Sequence, residues 1–108
     1  MSPVVKVIRP VGILAGSKSS QFQQEIAKVI ESNADIVLIN FVDITFMDSG
    51  GLGALTIALK SVRAAGGKMF LCSVNEQLRM LFELTSMDSV FKIYKDEEDF
   101  EKALASIR

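Results

Sequence analysis

Histidine is absent from the 108 residues, and that absence removes several chemistries in one step. No Ser-His or Cys-His nucleophile pair can be built, and zinc and iron lose their imidazole ligand. Cysteine occurs once, at Cys72, so no internal disulfide is available. An excess of charge of either sign is missing too. Twelve basic residues stand against 13 acidic ones, with a pI near 5.4, which leaves no electrostatic footprint for nucleic acid or anionic lipid. The longest unbroken aliphatic run, Ile36-Val37-Leu38-Ile39, is far short of the roughly 20 residues of a membrane helix, so no span of a bilayer is expected. The opening MSPVVKVIRP lacks the long apolar stretch of a signal peptide, and the cytoplasm is the expected address. Repeats, linkers and low-complexity tails are absent as well. The acidic cluster Asp96-Glu97-Glu98-Asp99 lacks the alternating oxygen ligands and central glycine of a calcium loop, and reads as the first turn of a helix.

What is present is a core. Hydrophobic residues make up 49% of the chain, enough for one packed domain over residues 1–108 without metal or disulfide support. VVKVIRPVGILA, residues 4 to 15, is rich in β-branched residues and interrupted by Pro10, which predicts two short strands joined at a tight bend. Ser20 and Gln23 have capping-box spacing ahead of Phe22, Ile26, Val29 and Ile30, an apolar stripe that predicts a helix over about 20–32. ADIVLINF is a continuous apolar run, as in a strand covered on both faces. It leads through VDITFMD to a glycine-rich segment. Leu52, Leu55, Leu59 and Val62 form the stripe of a second helix, stopped by Gly66-Gly67. KMFLCSV reads as a strand, Asn75 as the cap of a short helix carrying Leu78, Leu81 and Phe82, and VFKIY as another strand. A last helix from Asp96 turns Phe100, Ala103, Leu104 and Ile107 inward. The order β-β-α-β-α-β-α-β-α predicts an α/β fold: a mixed sheet with a largely parallel centre and about four helices. In such a sheet the loops leaving the carboxyl ends of the strands share one edge, so residues 15–20, 41–49 and 72–76 are expected to be neighbours.

That edge carries the one unusual segment, FMDSGGLG at residues 46–53. Gly50, Gly51 and Gly53 each weaken a helix by roughly 0.5–1 kcal/mol relative to alanine. One reading is that Asp48 or Ser49 caps the helix while the glycines permit close packing. A phosphate-binding loop fits poorly: Thr56 stands at the sixth position of a dinucleotide fingerprint, the turn does not come straight off the strand, and no Gly-Lys-Ser/Thr follows. A hydrolase elbow fails because Met47 stands where glycine is required. A third reading makes Ser49 a phosphate acceptor, since a phosphoserine at a helix amino end meets a favourable dipole and unpaired N–H donors.

The stretch FVDITFMDSGGLGALTIALKSVRAAGGKMFLCSVNEQLRMLFELTSMDSVFKIY strongly resembles the STAS domain of bacterial anti-sigma factor antagonists. The likeness runs over nearly the whole chain: an apolar strand, FMDSxGLG, a helix closed by GG, a strand, a short helix with LF, and a late apolar strand. It implies the STAS fold, no cofactor, and a binding switch rather than an enzyme. By the same resemblance, Ser49 is phosphorylated by an anti-sigma factor that is itself a serine kinase of the histidine-kinase-like ATPase fold. The unphosphorylated form sequesters that kinase and frees a sigma factor, and a PP2C-type phosphatase resets the cycle. Asp48 is assigned to orienting the hydroxyl and contacting the kinase. Met47, Gly50 and Gly51 join these two on the partner surface, with Ser17 and Lys18 beside them. The alternative is a STAS scaffold in a signalling or transport assembly, without serine phosphorylation. Two positions depart from the family pattern: Ala15 stands where an acidic residue is usual, and Gly50 where many members carry Ser or Thr, which confines phosphorylation to Ser49. Phe46 is expected to anchor the loop in the core, Cys72 to be a small buried hydrophobe, and Met80 and Met87 to be core or edge filler.

Overall fold

Five consecutive buried residues, Ile36 to Asn40, need cover on both faces, and the fold supplies it. The computed structural model describes residues 3–107, excepting the side chain of Ile107, so the inward position expected of that side chain lies outside the described residues. Strand β1 (Val5–Ile8) precedes β2 (Gly12–Leu14), and β3 (Ile36–Asn40) is followed by β4 (Ile44–Met47), β5 (Lys68–Cys72) and β6 (Ile93–Tyr94). The strands form a four-stranded sheet in the order β1-β3-β5-β6 and a two-stranded pair, β2 with β4. The parallel centre extends to every ladder among the described residues. Helices α1 (Ser19–Glu31), α2 (Ser49–Ala64), α3 (Glu76–Leu84) and α4 (Glu97–Ile107) make the connections.

Alternation along β3 divides the interior in two. Val37 and Ile39 enter the large core with Phe22 and Ile26 of α1, Leu55 and Leu59 of α2, and Leu78 and Phe82 of α3. Ile36 and Leu38 meet Phe100 and Leu104 of α4 on the other face, where Cys72 is also buried. Each large side chain fully buried in this way contributes about 1.5–3 kcal/mol. Burial pushes the Cys72 thiol above its ordinary pKa, consistent with its place as a small buried hydrophobe. Met87 packs against the large core, while Met80 is half exposed on α3.

The helix signals hold with one exception. Helix α2 ends at Ala64 and Gly66 takes φ +85°, the left-handed conformation of a glycine stop. Asn75 Oδ1 accepts from the Leu78 N–H at 3.0 Å, and Asp96 Oδ1 from the Asp99 N–H at 2.8 Å. The capping box expected of Ser20 and Gln23 does not form. A 3-10 turn, Gly16–Lys18, runs directly into α1, and the Gln23 amide instead donates to the Ala54 carbonyl of α2 at 2.8 Å.

Two strands differ from the sequence reading. VDITFMD contains β4, where the sequence suggests only a connection; Ile44 and Met47 are buried while Thr45 and Phe46 are exposed, so the segment has no two-residue alternation to betray it. At VFKIY only Ile93 and Tyr94 pair. The Val90 and Phe91 N–H groups are taken by the Met87 carbonyl in a turn, which keeps them out of the ladder.

Candidate functional site

Strand β4 delivers the chain into α2 through a single residue, Asp48, so the turn does come straight off a strand. Asp48 is extended (φ −106°, ψ −175°), and its Oδ1 accepts from the Gly51 N–H at 2.8 Å. It is the N-cap. Its one side-chain hydrogen bond among the described residues goes to the helix backbone, a capping role compatible with the orienting role expected of it. Its own carbonyl accepts from the Leu52 N–H at 3.0 Å. Ser49 opens the helix on the surface, and its hydroxyl has no hydrogen-bond partner among the described residues. Beside it the N–H groups of Ser49 and Gly50 are also without an acceptor among the described residues. A neutral hydroxyl, two free donors and the positive end of a 16-residue helix therefore share one exposed corner.

The neighbourhood expected of the strand ends is present. The Asp48 N–H donates to the Leu14 carbonyl at 3.4 Å, the Phe41 N–H to the Cys72 carbonyl at 3.0 Å, and Asn75 Nδ2 to the Ile44 carbonyl at 3.1 Å. Gly50 lies against Gly16: a Cβ on Gly50 would stand 2.8 Å from the Gly16 Cα. This contact brings the exposed Ser17 and Lys18 alongside the start of α2.

Three residues differ from expectation. Met47 is fully buried, and it is Phe46 that is 44% exposed, so the loop's anchor and its surface residue exchange roles. In this conformation Met47 has no surface to offer a partner. Gly51, expected on the partner surface, is buried beneath Leu14, where it permits close packing of α2 on β2. Phe46 pairs in register with Ile13 of β2, which is 45% exposed, so two apolar side chains lie side by side near the turn.

Sequence reasoning missed Gln77. Its Oε1 accepts from the Met47 N–H at 3.0 Å and its Nε2 donates to the Met47 carbonyl at 2.9 Å. No local signal announces a contact between residues 30 positions apart. A second polar junction lies where β1, β3 and α4 meet. Asn40, 3% exposed, donates from Nδ2 to Glu97 Oε2 at 2.9 Å, and Glu97 pairs with Arg9. The hydrogen bond and charge of Glu97 raise the Arg9 pKa. Among the described residues no helix is long and apolar enough to cross a membrane.

The STAS domain family matches residues 2–100 of this α/β layer, and the chain belongs to that family. An anti-sigma F factor antagonist from Paenibacillus polymyxa is 26% identical over 94 residues, covering 86% of this chain and 80% of that one. Among solved structures, the anti-sigma factor antagonist SpoIIAA in its unphosphorylated form aligns with a TM-score of 0.75 at 22% identity, over 95% of this chain and 90% of its own. A sulfate transporter family protein from Wolinella succinogenes aligns with a TM-score of 0.81 at 15% identity, over 98% and 92%. At such low identity the two structural likenesses establish a shared fold.

Proposed function

We propose that this chain is an anti-sigma factor antagonist working in the cytoplasm as a phosphorylation-switched binding protein. With Ser49 unmodified it holds an anti-sigma factor serine kinase of the histidine-kinase-like ATPase fold, and a sigma factor is freed. The kinase transfers phosphate to Ser49: the hydroxyl oxygen bonds to the γ-phosphorus of ATP, the bond to ADP breaks, and the hydroxyl proton leaves to a base on the kinase. A PP2C-type phosphatase reverses the modification by hydrolysis.

The observation that carries this reading is the placement of Ser49, exposed at the first position of α2 with a hydroxyl unpaired among the described residues. The relative named as an anti-sigma F factor antagonist supports the target class. The helix end explains how the switch leaves the fold standing, since a charge there is favoured by about 0.3–1 kcal/mol when exposed. What changes is the surface. A partner fitted to a neutral hydroxyl beside Asp48 would meet about −1.5 to −2 charges, with repulsion and desolvation added. Ser17, Lys18, Asp48 and Gly50 form the rest of the contact in this reading.

The fold shared with the transporter family protein favours one alternative, a STAS scaffold in a larger assembly with no phosphorylation. Intact-mass and peptide mass spectrometry decides between them, after incubation with ATP and the candidate kinases of the same genome. One phosphate at Ser49, absent from Ser49→Ala, is the expected result. No phosphate with any kinase favours the scaffold.

A further inference from the structure

Met47 is fully buried, yet the next strand serves only one side of β4. Because β2 takes the Asp48 N–H through the Leu14 carbonyl, strand alternation turns the N–H and C=O of Met47 to the other edge. That edge is closed by a side chain. A primary amide carries the same donor and acceptor as a peptide group, and Gln77 uses both on Met47, at 3.0 and 2.9 Å, in place of a neighbouring strand. Asn75, two residues earlier, adds one more bond to β4: while Oδ1 caps α3, Nδ2 donates to the Ile44 carbonyl at 3.1 Å. The first turn of α3 thus grips β4 at two points, the second of them two residues before Ser49.

We propose that Gln77 is a positioning residue of the Ser49 site, holding both backbone groups of Met47 and so fixing the direction in which β4 enters α2. The proposal rests on the reading of Ser49 as the phosphate acceptor. Buried backbone groups have to be paired. When the amide is removed, the turn shifts until water reaches Met47, and the Asp48 cap and Ser49 hydroxyl shift with it.

Gln77→Leu removes both bonds, whereas Gln77→Glu keeps the acceptor for the Met47 N–H and loses the donor. Leu81→Ala, on the same helix and packed on the core without a bond to β4, is the stability control. Two readouts are used: amide exchange at Met47 and Gly51 by NMR on the free chain, and kcat/KM for phosphorylation of Ser49 by the kinase that modifies the wild type. In Gln77→Leu both amides exchange about tenfold faster or more, and kcat/KM falls about tenfold or more because the acceptor is displaced. Gln77→Glu lies between, and it carries the test if Gln77→Leu does not fold. Leu81→Ala melts at a lower temperature but keeps kcat/KM within about twofold of wild type. Wild-type phosphorylation and intact protection in the Gln77 variants overturn the proposal, as does an equal loss of kcat/KM in Leu81→Ala. If the wild type accepts no phosphate from any kinase, it is the Ser49 reading that fails. Exchange at Met47 and Gly51 then decides alone whether Gln77 holds the turn.

Discussion

Gly51 lies directly beneath the carbonyl of Leu14: a Cβ placed on it would collide with that oxygen, and would stand 2.8 Å from the carbonyl carbon and 3.0 Å from Met47 Cγ. Backbone cannot step aside as a flexible side chain can. Gly51→Ala is expected to lose about 1–3 kcal/mol, the usual scale of overpacking, read from the urea unfolding midpoint. Gly53 is the opposite case, exposed in the helix with nothing within 4 Å of its added Cβ. Gly53→Ala should gain about 0.5–1 kcal/mol. Small and equal effects at the two positions would contradict the close approach of α2 to β2.

Met47 and Phe46 give a second contrast. Met47 is fully buried and Phe46 is 44% exposed, although Phe46 is the larger hydrophobe. Met47→Ala should cost about 2–5 kcal/mol by leaving a cavity under the turn. Phe46→Ala should cost about 1 kcal/mol or less. Thermal unfolding of the two variants checks the order, and a larger loss in Phe46→Ala would reverse the assignment.

These two residues also mark where the sequence stops being legible. The helices are readable because each has its own period and its own stop: Leu52, Leu55, Leu59 and Val62 are all buried, and Gly66 ends α2 as its position suggests. Strand β3 is readable because a fully apolar run has one use in such a fold. Strand β4 is not, because its pattern of buried ends and exposed middle depends on β2 on one side and α3 on the other. The same holds at the site. Asp48, Ser49 and the three glycines stand out in the chain, but which glycine packs and which is free is decided by Leu14 and Gly16, more than 30 residues away. Gln77, like any amide on a short helix, carries no mark of the strand it completes.

The junction of Asn40, Glu97 and Arg9 ties α4 to the sheet, and its two bonds are unequal in consequence. Glu97→Ala leaves the Asn40 amide, 3% exposed, without its acceptor, and is expected to cost about 1–2 kcal/mol. Glu97→Gln keeps an oxygen for Asn40 and gives up only the charge pairing with Arg9, whose side chain is 56% exposed. It should behave like Arg9→Ala, with a small loss that shrinks further in high salt. Chemical denaturation of the three variants at low and high salt separates the terms. An Arg9→Ala variant as damaged as Glu97→Ala would place the stabilisation in the ion pair instead.

Ser49 is expected to be almost free of structural duty, as the proposed switch requires of it. Its hydroxyl has no partner among the described residues, so Ser49→Ala should leave stability within about 0.5 kcal/mol of wild type. Ser49→Asp and Ser49→Glu place a negative charge at the amino end of α2, where the dipole favours it by about 0.3–1 kcal/mol, so both should fold at least as well. Partner binding should divide the three variants in the other direction. Ser49→Ala should hold the kinase as tightly as the unphosphorylated wild type and never release it. The two acidic variants should bind about tenfold more weakly or worse, a difference of about 1.4 kcal/mol or more. Calorimetric titration of each variant with the kinase, beside its unfolding curve, reads both quantities. Equal affinity across the three would remove the charge switch, whereas weak binding accompanied by a lost fold would show that Ser49 carries structure after all.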